Sequence, residues 1–422
     1  MSENFSLSTQ FEIGSIKIDG NDVIGLFNSI SIYENINSPL VTGTIVLLET
    51  DKNQFVTKYD IEGSEDIEFE FTNANGQQLQ FKGVLNGLTN KTVQDWKTTY
   101  AFNFSSKSSR DNEKNFIVKR FNNEDPQSII EEMIEKMGGQ TDNVQSTGKP
   151  MSFTAGRRRP ADVIKYVMTH GVATKGSPSA SSGEKRKGET KGTTGFLCWE
   201  TLSGYRFASV DDVVSGQAGE ELGTFTHRFQ NKSLSMQESM ESVIQYDFDQ
   251  IGDIQTKLRS GAFTNKHISF NMDTGQYTEY DYKDDKNMTD KQKEIAGEFP
   301  TRVVWKPFTN EVFENSCQKA QENYWDQSRE YLSQNIVRQN TFTDQHGTFT
   351  LPPRYEAKAG DTIEIKIPRV QSEDGGGYNE KHSGRYVIKQ VGHHMFADGS
   401  SYTKLKTVRS TIQQDDATSR QS

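Results

Sequence analysis

"SGRYVIKQVGHHMFADGSSYTKLKTVR", Ser383 to Arg409, holds two strand-like runs, a glycine turn between them, and a pair of adjacent histidines. Read as a reactive site, it offers His393 and His394 as a metal or catalytic pair. Read as a hairpin, it makes the C-terminal region a β-domain. Adjacent side chains on a strand point to opposite faces, so the two rings do not easily share one metal. No carboxylate or further histidine lies at ligand spacing nearby. The hairpin reading is the stronger one, with one ring packed and the other exposed.

The same alternation runs outward from this stretch. "GDTIEIKIP" faces Ile363, Ile365 and Ile367 one way, and "NTFTDQHGTFTL" reads as another strand. Near the N-terminus, "FEIGSIKIDG" places Ile16 and Ile18 on one face with Lys17 between them. "DIEFEF" alternates Ile67, Phe69 and Phe71 with Glu68 and Glu70, as a half-buried antiparallel strand does. "NANGQQ" then signals a hairpin centred on Asn75-Gly76. "FKGVLNGLTN" and "TTYAFNFSS" continue the pattern. Residues 1–110 are therefore expected to form one antiparallel, barrel-like β-domain. Residues 336–410 are expected to form a second, followed by a polar tail over 411–422.

Between them the period changes. In "NNEDPQSIIEEMIEKMGG", Asp125 stands at a helix start, with Pro126 at the first helical position. Ile129, Ile130, Met133, Ile134 and Met137 make its apolar stripe, and Gly138-Gly139 ends it. A second helix follows Pro160 and closes at Gly171. With "GFLCWETLSGYRFASVDDVV" these helices form an expected α/β insert over 111–215. Its segment 174–194 is nearly all Gly, Ser, Thr, Lys and Glu, a composition that buries no core and reads as a flexible loop. The run Lys185-Arg186-Lys187 inside it reads as solvated charge. Residues 216–335 are expected to be mixed α/β and to lend strands to the second barrel. "MQESMESVIQYDFDQ" reads as helix then strand, "GAFTNKHISFNMDTGQYTEYDY" as a hairpin, and 311–335 as a longer helix. On that helix Phe313, Cys317, Ala320, Tyr324, Tyr331 and Leu332 sit near helical spacing. The fold class is thus mainly β (α+β), with two antiparallel β-barrel-like tube domains bracketing smaller α/β insert domains.

Length and composition agree with several small cores. A chain of 422 residues exceeds one ordinary core, and 32% hydrophobic residues with 25 Phe is lean in aliphatics but rich in aromatics. No run approaches a membrane span, and "MSENFSLSTQ" lacks the basic start and apolar stretch of a signal peptide. Two cysteines, Cys198 and Cys317, are too few for a disulfide framework or a paired zinc motif, so both are expected to be reduced thiols. A net charge of −10 argues against a dedicated nucleic-acid binder.

Catalytic signatures are missing from the sequence. It has no G-x-S-x-G and no Walker loop, and "EDGGGY" lacks the following Lys-Ser/Thr. Acidic clusters such as "YDFDQIGD" and "DYKDDKN" carry no weight in an acidic chain. "GRRRP", 156–160, is a compact basic cluster, read as a solvated loop or as ion pairs at a subunit contact. No catalytic, cofactor-binding or metal residue is assigned, no cofactor is expected, and the chain is not expected to be an enzyme.

The ordered stretches resemble the baseplate hub proteins of contractile-tailed bacteriophages, a superfamily shared with type VI secretion spikes. "IKIDGNDVIGLFNSISIYENINSPLVTGTIVLLETD" is similar to the family's opening. Ile61, Gly63, Glu65 and Ile67 match its "I-x-G-x-E-x-I" element. "PADVIKYVMTHG" resembles its insert helix, and "GFLCWETLSGYRFASVDDVV" its "F-x-x-E-T-x-x-G-Y-x-F-x-S-x-D" strand pair. "AGDTIEIKIP…SGRYVIKQVGHHMF…YTKLKTVRS" resembles the end of the second hub barrel. The likeness spans about three quarters of the chain in the right order. It leaves out 174–194 and the tail after Arg409.

The resemblance implies a homotrimer whose two barrels per subunit make a ring of approximate sixfold symmetry. Such a ring joins a sixfold tail tube to a threefold central spike and forms part of the channel for DNA and the tape measure protein. The implied partners are the spike, tail tube or tube-initiator proteins, the tape measure protein and baseplate wedge proteins. Neither specific nucleic-acid binding nor membrane insertion is implied. The implied location is the virion tail baseplate, assembled in the host cytoplasm. Ending after the second barrel, the chain is expected to be a separate hub subunit. A hub of a non-phage contractile injection system and a tail-associated cell-wall hydrolase are the alternatives. Passage of DNA without sticking further implies a bore with few unpaired Lys or Arg, with Glu68 and Glu70 as candidates to face it.

Overall fold

The computed structural model describes residues 7–50, 54–147, 150–171, 195–228, 234–248, 254–272, 275, 277–283, 290–297, 299–308, 333, 335–337, 339–340, 345–369, 377–379 and 382–409. The segment 174–194, most of the helix expected over 311–335 and the tail 411–422 lie outside the described residues.

The structure is predominantly β with helical insertions, and one sheet of fourteen strands dominates it. Its first half runs through the strands Phe11–Ile18, Asp66–Asn73, Gln78–Gln94, Lys97–Ser106, Thr42–Thr50 and Phe27–Asn35, all paired antiparallel. Alternation explains why these residues make strands. Along Asp66–Asn73 every second residue is buried: Ile67, Phe69, Phe71 and Asn73. Across the pairing, Ile16 lies opposite Phe69 and Phe69 opposite Phe81. Phe69 stacks on Phe81 and meets Phe104 edge-on, so the first core is largely aromatic. The Asn75-Gly76 turn forms as expected, with Gly76 at φ +76°, a region glycine enters without Cβ strain.

The second half is entered through Gly384–Phe396, the strand that opened the sequence reading. Along one edge it pairs with Thr362–Lys366 up to Val387. From Gln390 onward that edge pairs with Phe27–Asn35 instead. The other edge pairs with Ser401–Arg409 from Val387 to Met395, with a bulge at Lys389 between Ile388 and Gln390, at the level where the first edge changes partner. This strand is the fork at which the two halves of the sheet join. Beyond it, Ser401–Arg409 pairs with Gln345–Leu351, which pairs with Gln245–Phe248. Thr362–Lys366 pairs with Glu221–His227, and that strand with Ser242–Val243. Those last two pairings are parallel, so the second half is mixed rather than uniformly antiparallel.

Each half curls round its own core without closing into a barrel. In the first, a single bridge, Gln10 to Ser400, brings the N-terminal edge back to the fork hairpin. In the second, the segment 242–248 changes partner at Ile244, whose N–H donates to Thr350 O. The inner faces hold Ile363, Ile365 and Ile367 against Phe349, Val391 and Leu405.

The helices pack beside this sheet. Pro126–Lys136 buries Ile129, Ile130, Met133 and Ile134, and Pro160–His170 buries Val163, Ile164 and Val167. Asp125 does occupy the N-cap position, but its carboxylate makes no capping bond and instead accepts from Thr147 Oγ1. The hairpin Phe196–Thr201/Gly204–Ser209 completes this third core with Phe196, Cys198, Tyr205 and Phe207. The hairpin read over 261–282 is present as Thr264–Asn271 and Tyr277–Lys283, joined by a parallel third strand, Arg302–Phe308.

Candidate functional site

The His pair sits on the fork strand, and its rings point to opposite faces. His393 is buried, its Nδ1 3.1 Å from Thr403 Oγ1, with Tyr355 edge-on at 5.7 Å. His394 lies half-buried on the polar face, its Nδ1 2.9 Å from Ser31 Oγ, between the rings of Tyr33 and Tyr402. Burial holds His393 down to about 3. Burial, and then the charge of Lys404, hold His394 down to about 4. Both rings are neutral at physiological pH, and each makes a packing contact and a hydroxyl hydrogen bond. Among the described residues no group of three or more His, Cys, Asp or Glu gathers to hold a metal. Cys198 is a free buried thiol, pushed up to about 12 by burial and then by Glu200. Cys317 lies outside the described residues.

The densest polar chemistry lies where the insert hairpin meets both halves of the sheet. Glu200 on this hairpin accepts from the N–H of Val41 and the hydroxyls of Ser106 and Ser108, all in the first half. One residue away, Trp199 Nε1 donates to Ala359 O in the second half, at 2.8 Å. Arg206, on the hairpin's other strand, is buried and paired twice: to Asp361 at 2.8 Å and to Asp142 at 2.6 Å. Asp361 also accepts from the N–H groups of Glu220 and Lys358. Glu34 completes the junction from the first half. Its two carboxylate oxygens accept from Leu202 N and Ala359 N, each at 2.8 Å. Burial pushes Glu34 up to about 7, against those two hydrogen bonds and the charge of Arg206.

Local sequence explains how this junction is built. Thr201 Oγ1 donates to Gly204 O and fixes the turn of "ETLSG". Gly360 has φ +91°, and a Cβ there would lie 2.4 Å from Trp199 Cζ2, so only glycine lets the indole close on the backbone. The motif residues Glu200, Thr201, Gly360 and Asp361 are thus fasteners between elements distant in sequence. Sequence reading missed Glu34, Asp142 and Arg206. The available signal was Glu34 itself, an acid at an inward position of "ISIYEN", after Ile30 and Ile32.

The opposite, polar side of the large sheet varies in charge along its length. In the first half Glu68 pairs with Lys82 at 3.3 Å, and Glu70 accepts from Gln80. The centre is neutral, as where Thr44 donates to Asn103. In the second half Lys389, Lys404 and Lys406 have no carboxylate partner among the described residues. Lysines without a carboxylate partner among the described residues occur in the first half as well, Lys17, Lys91 and Lys97 among them, the last two lying over Tyr100 and Trp96. The basic cluster of 156–160 is placed on a strand end rather than a loop. Arg157 lies over Phe116, Arg158 over Tyr166, and Arg159 pairs with Glu113 at 2.6 Å.

No protein-family model and no curated protein matches this sequence. Solved structures do. The chain is similar to the 43 kDa tail protein of prophage MuSo2 from Shewanella oneidensis. The TM-score is 0.53 at 11% identity, over 94% of this chain and 98% of that one. It is equally similar to the tail protein from Neisseria meningitidis MC58, with TM-score 0.53 at 10% identity, over 97% and 99%. This chain has the fold of phage tail proteins, across nearly its whole length.

Proposed function

We propose that this chain is the structural hub of a phage tail baseplate, not an enzyme. Three copies form a ring that adapts a sixfold tail tube to a threefold central spike and surrounds part of the path of DNA and tape measure. The observation that carries this reading is the fork strand. It joins two curled β-units in one continuous sheet, and two such units in each of three subunits give six positions around an axis. The junction of Glu34, Glu200, Arg206 and Asp361 supports a load-transmitting role, because it ties the insert to both halves with buried polar bonds. The full-length likeness to tail proteins supports a place in the virion tail. Domains at 1–110, 111–215, 216–335 and 336–410 follow this plan, the insert bracing the ring from outside. Sheet edges left open by the unclosed halves are paired by neighbouring copies, which removes an aggregation liability. A hub of a non-phage contractile machine would use the same geometry. Light scattering after size exclusion tests the reading. Three chain masses per particle, alone or with the spike, are expected; a monomer under both conditions contradicts it.

A further inference from the structure

At the fork, one row of the sheet register runs Asn35, Gln390, Lys406, Thr348 across four adjacent strands. All four side chains stand on the polar face. The bulge between Ile388 and Gln390 turns Lys389 to the same side, while Lys389 O still accepts from Ile36 N. Together with Asn37 and His346, these residues line a hollow of about 320 Å³. No Asp or Glu lines it. Two ammonium groups therefore share one partly enclosed space. Burial, and then the charge of Lys406, hold Lys389 below the ordinary lysine range. Such an arrangement costs free energy unless an anion offsets it. Bulges re-aim side chains and recur beside functional sites.

We propose that this hollow is an oxyanion site of the phosphate class. Its lining brings two lysines, three side-chain amides and the hydroxyl of Thr348 from several strands, while the second threonine, Thr407, gives its hydroxyl to Gly347 O. That set suits the several oxygens of a tetrahedral phosphate. A planar carboxylate is best matched by the fork of an arginine, and no arginine lines the hollow. Free phosphate and the phosphodiester of nucleic acid present the same oxygens. That DNA supplies them rests on the channel reading above; the site itself does not. On that reading each ring carries three such sites, which hold passing DNA weakly and release it as salt rises.

The test is titration of the intact chain with inorganic phosphate at fixed ionic strength, with chloride as the control. Saturable phosphate binding is expected. The double variant Lys389→Met/Lys406→Met, which keeps the apolar stems, should weaken it by about tenfold or more, the loss expected for charge-assisted contacts. Lys404→Met, outside the hollow, should bind as the parent does. Should the double variant fold poorly, the exposed single change Lys406→Met reads the same loss. Equal response to chloride, or undiminished binding in the variants, overturns the site. Tighter binding of a poly-glutamate peptide than of phosphate overturns the phosphate class. A short DNA duplex that competes with bound phosphate assigns the source to nucleic acid, and one that does not assigns it to free phosphate. Neither result depends on ring formation, so failure of the site and failure of the hub reading are told apart.

Discussion

Two regions of this molecule use the same residue types to opposite effect. At the junction, Arg206, Asp361, Asp142 and Glu34 are brought together under the insert hairpin, and nearly every polar atom of the pairing has a protein partner. On the polar face, Glu68 and Lys82 meet at 3.3 Å in open solvent. An exposed pair gains little, because water and salt screen it and two long side chains must be ordered. A buried set is costly to assemble and far more costly to leave half-assembled. The junction therefore specifies one arrangement of three elements, whereas the face keeps the sheet solvated and free to present its surface.

The largest expected effect comes from breaking the junction at its cation. Arg206→Met leaves Asp361 and Asp142 without their counter-charge and should cost about 3–5 kcal/mol in urea unfolding. A cost below about 1 kcal/mol would erase the distinction between the two regions.

Glu34→Gln sharpens the comparison through pH. It puts an amide NH2, which accepts nothing, opposite a backbone N–H, whereas the protonated carboxyl keeps a lone pair on each oxygen, and it should cost about 1–3 kcal/mol at pH 5. Glu34 rises from its ordinary 4.5 to about 7 in the folded chain. Its protonation thus favours the folded state, and that contribution fades as pH rises from about 4.5 through about 7. The gap between parent and variant should narrow across that window. A gap that widens with pH would contradict the assignment.

His394→Gln probes the boundary between the regions and should cost about 1 kcal/mol through loss of the Ser31 bond. The two histidines titrate with the opposite sign to Glu34. Their folded values lie below the ordinary 6.5, so the stability they lend is present above that pH. It is lost as pH falls toward about 4 and about 3. The variant should therefore show a shallower loss of stability on acidification. Lys82→Ala should change stability least, by less than about 1 kcal/mol, in a melt at physiological salt.

The sequence made the β alternation legible because period two is local. Ile67, Phe69 and Phe71, or Ile363, Ile365 and Ile367, declare their face without help from the rest of the chain. The helix of Ile129 to Met137 was legible for the same reason at its own period. The opposite-facing His pair followed from strand geometry alone. The junction was not legible, because Glu34, Arg206 and Asp361 lie far apart in sequence and meet only through tertiary register. Glu34 and Asn73 stand at inward positions where the pattern calls for an apolar side chain. Asn73 there donates to Pro353 O across the fold and to Gln77 Oε1 within its own turn. The parallel pairings of Glu221–His227 escaped as well, since a strand's partner is not written in its own residues. Nor does sequence reveal the bulge at Lys389, which lies at the level where the strand's other edge changes partner.

The central claim is that two β-units joined at the fork strand make a threefold ring with sixfold character. Negative-stain imaging of the purified chain, alone and with its spike, tests this most directly. The account expects ring-shaped particles with a central hole, threefold averages and six peripheral densities. Compact particles without a hole in both preparations would contradict it.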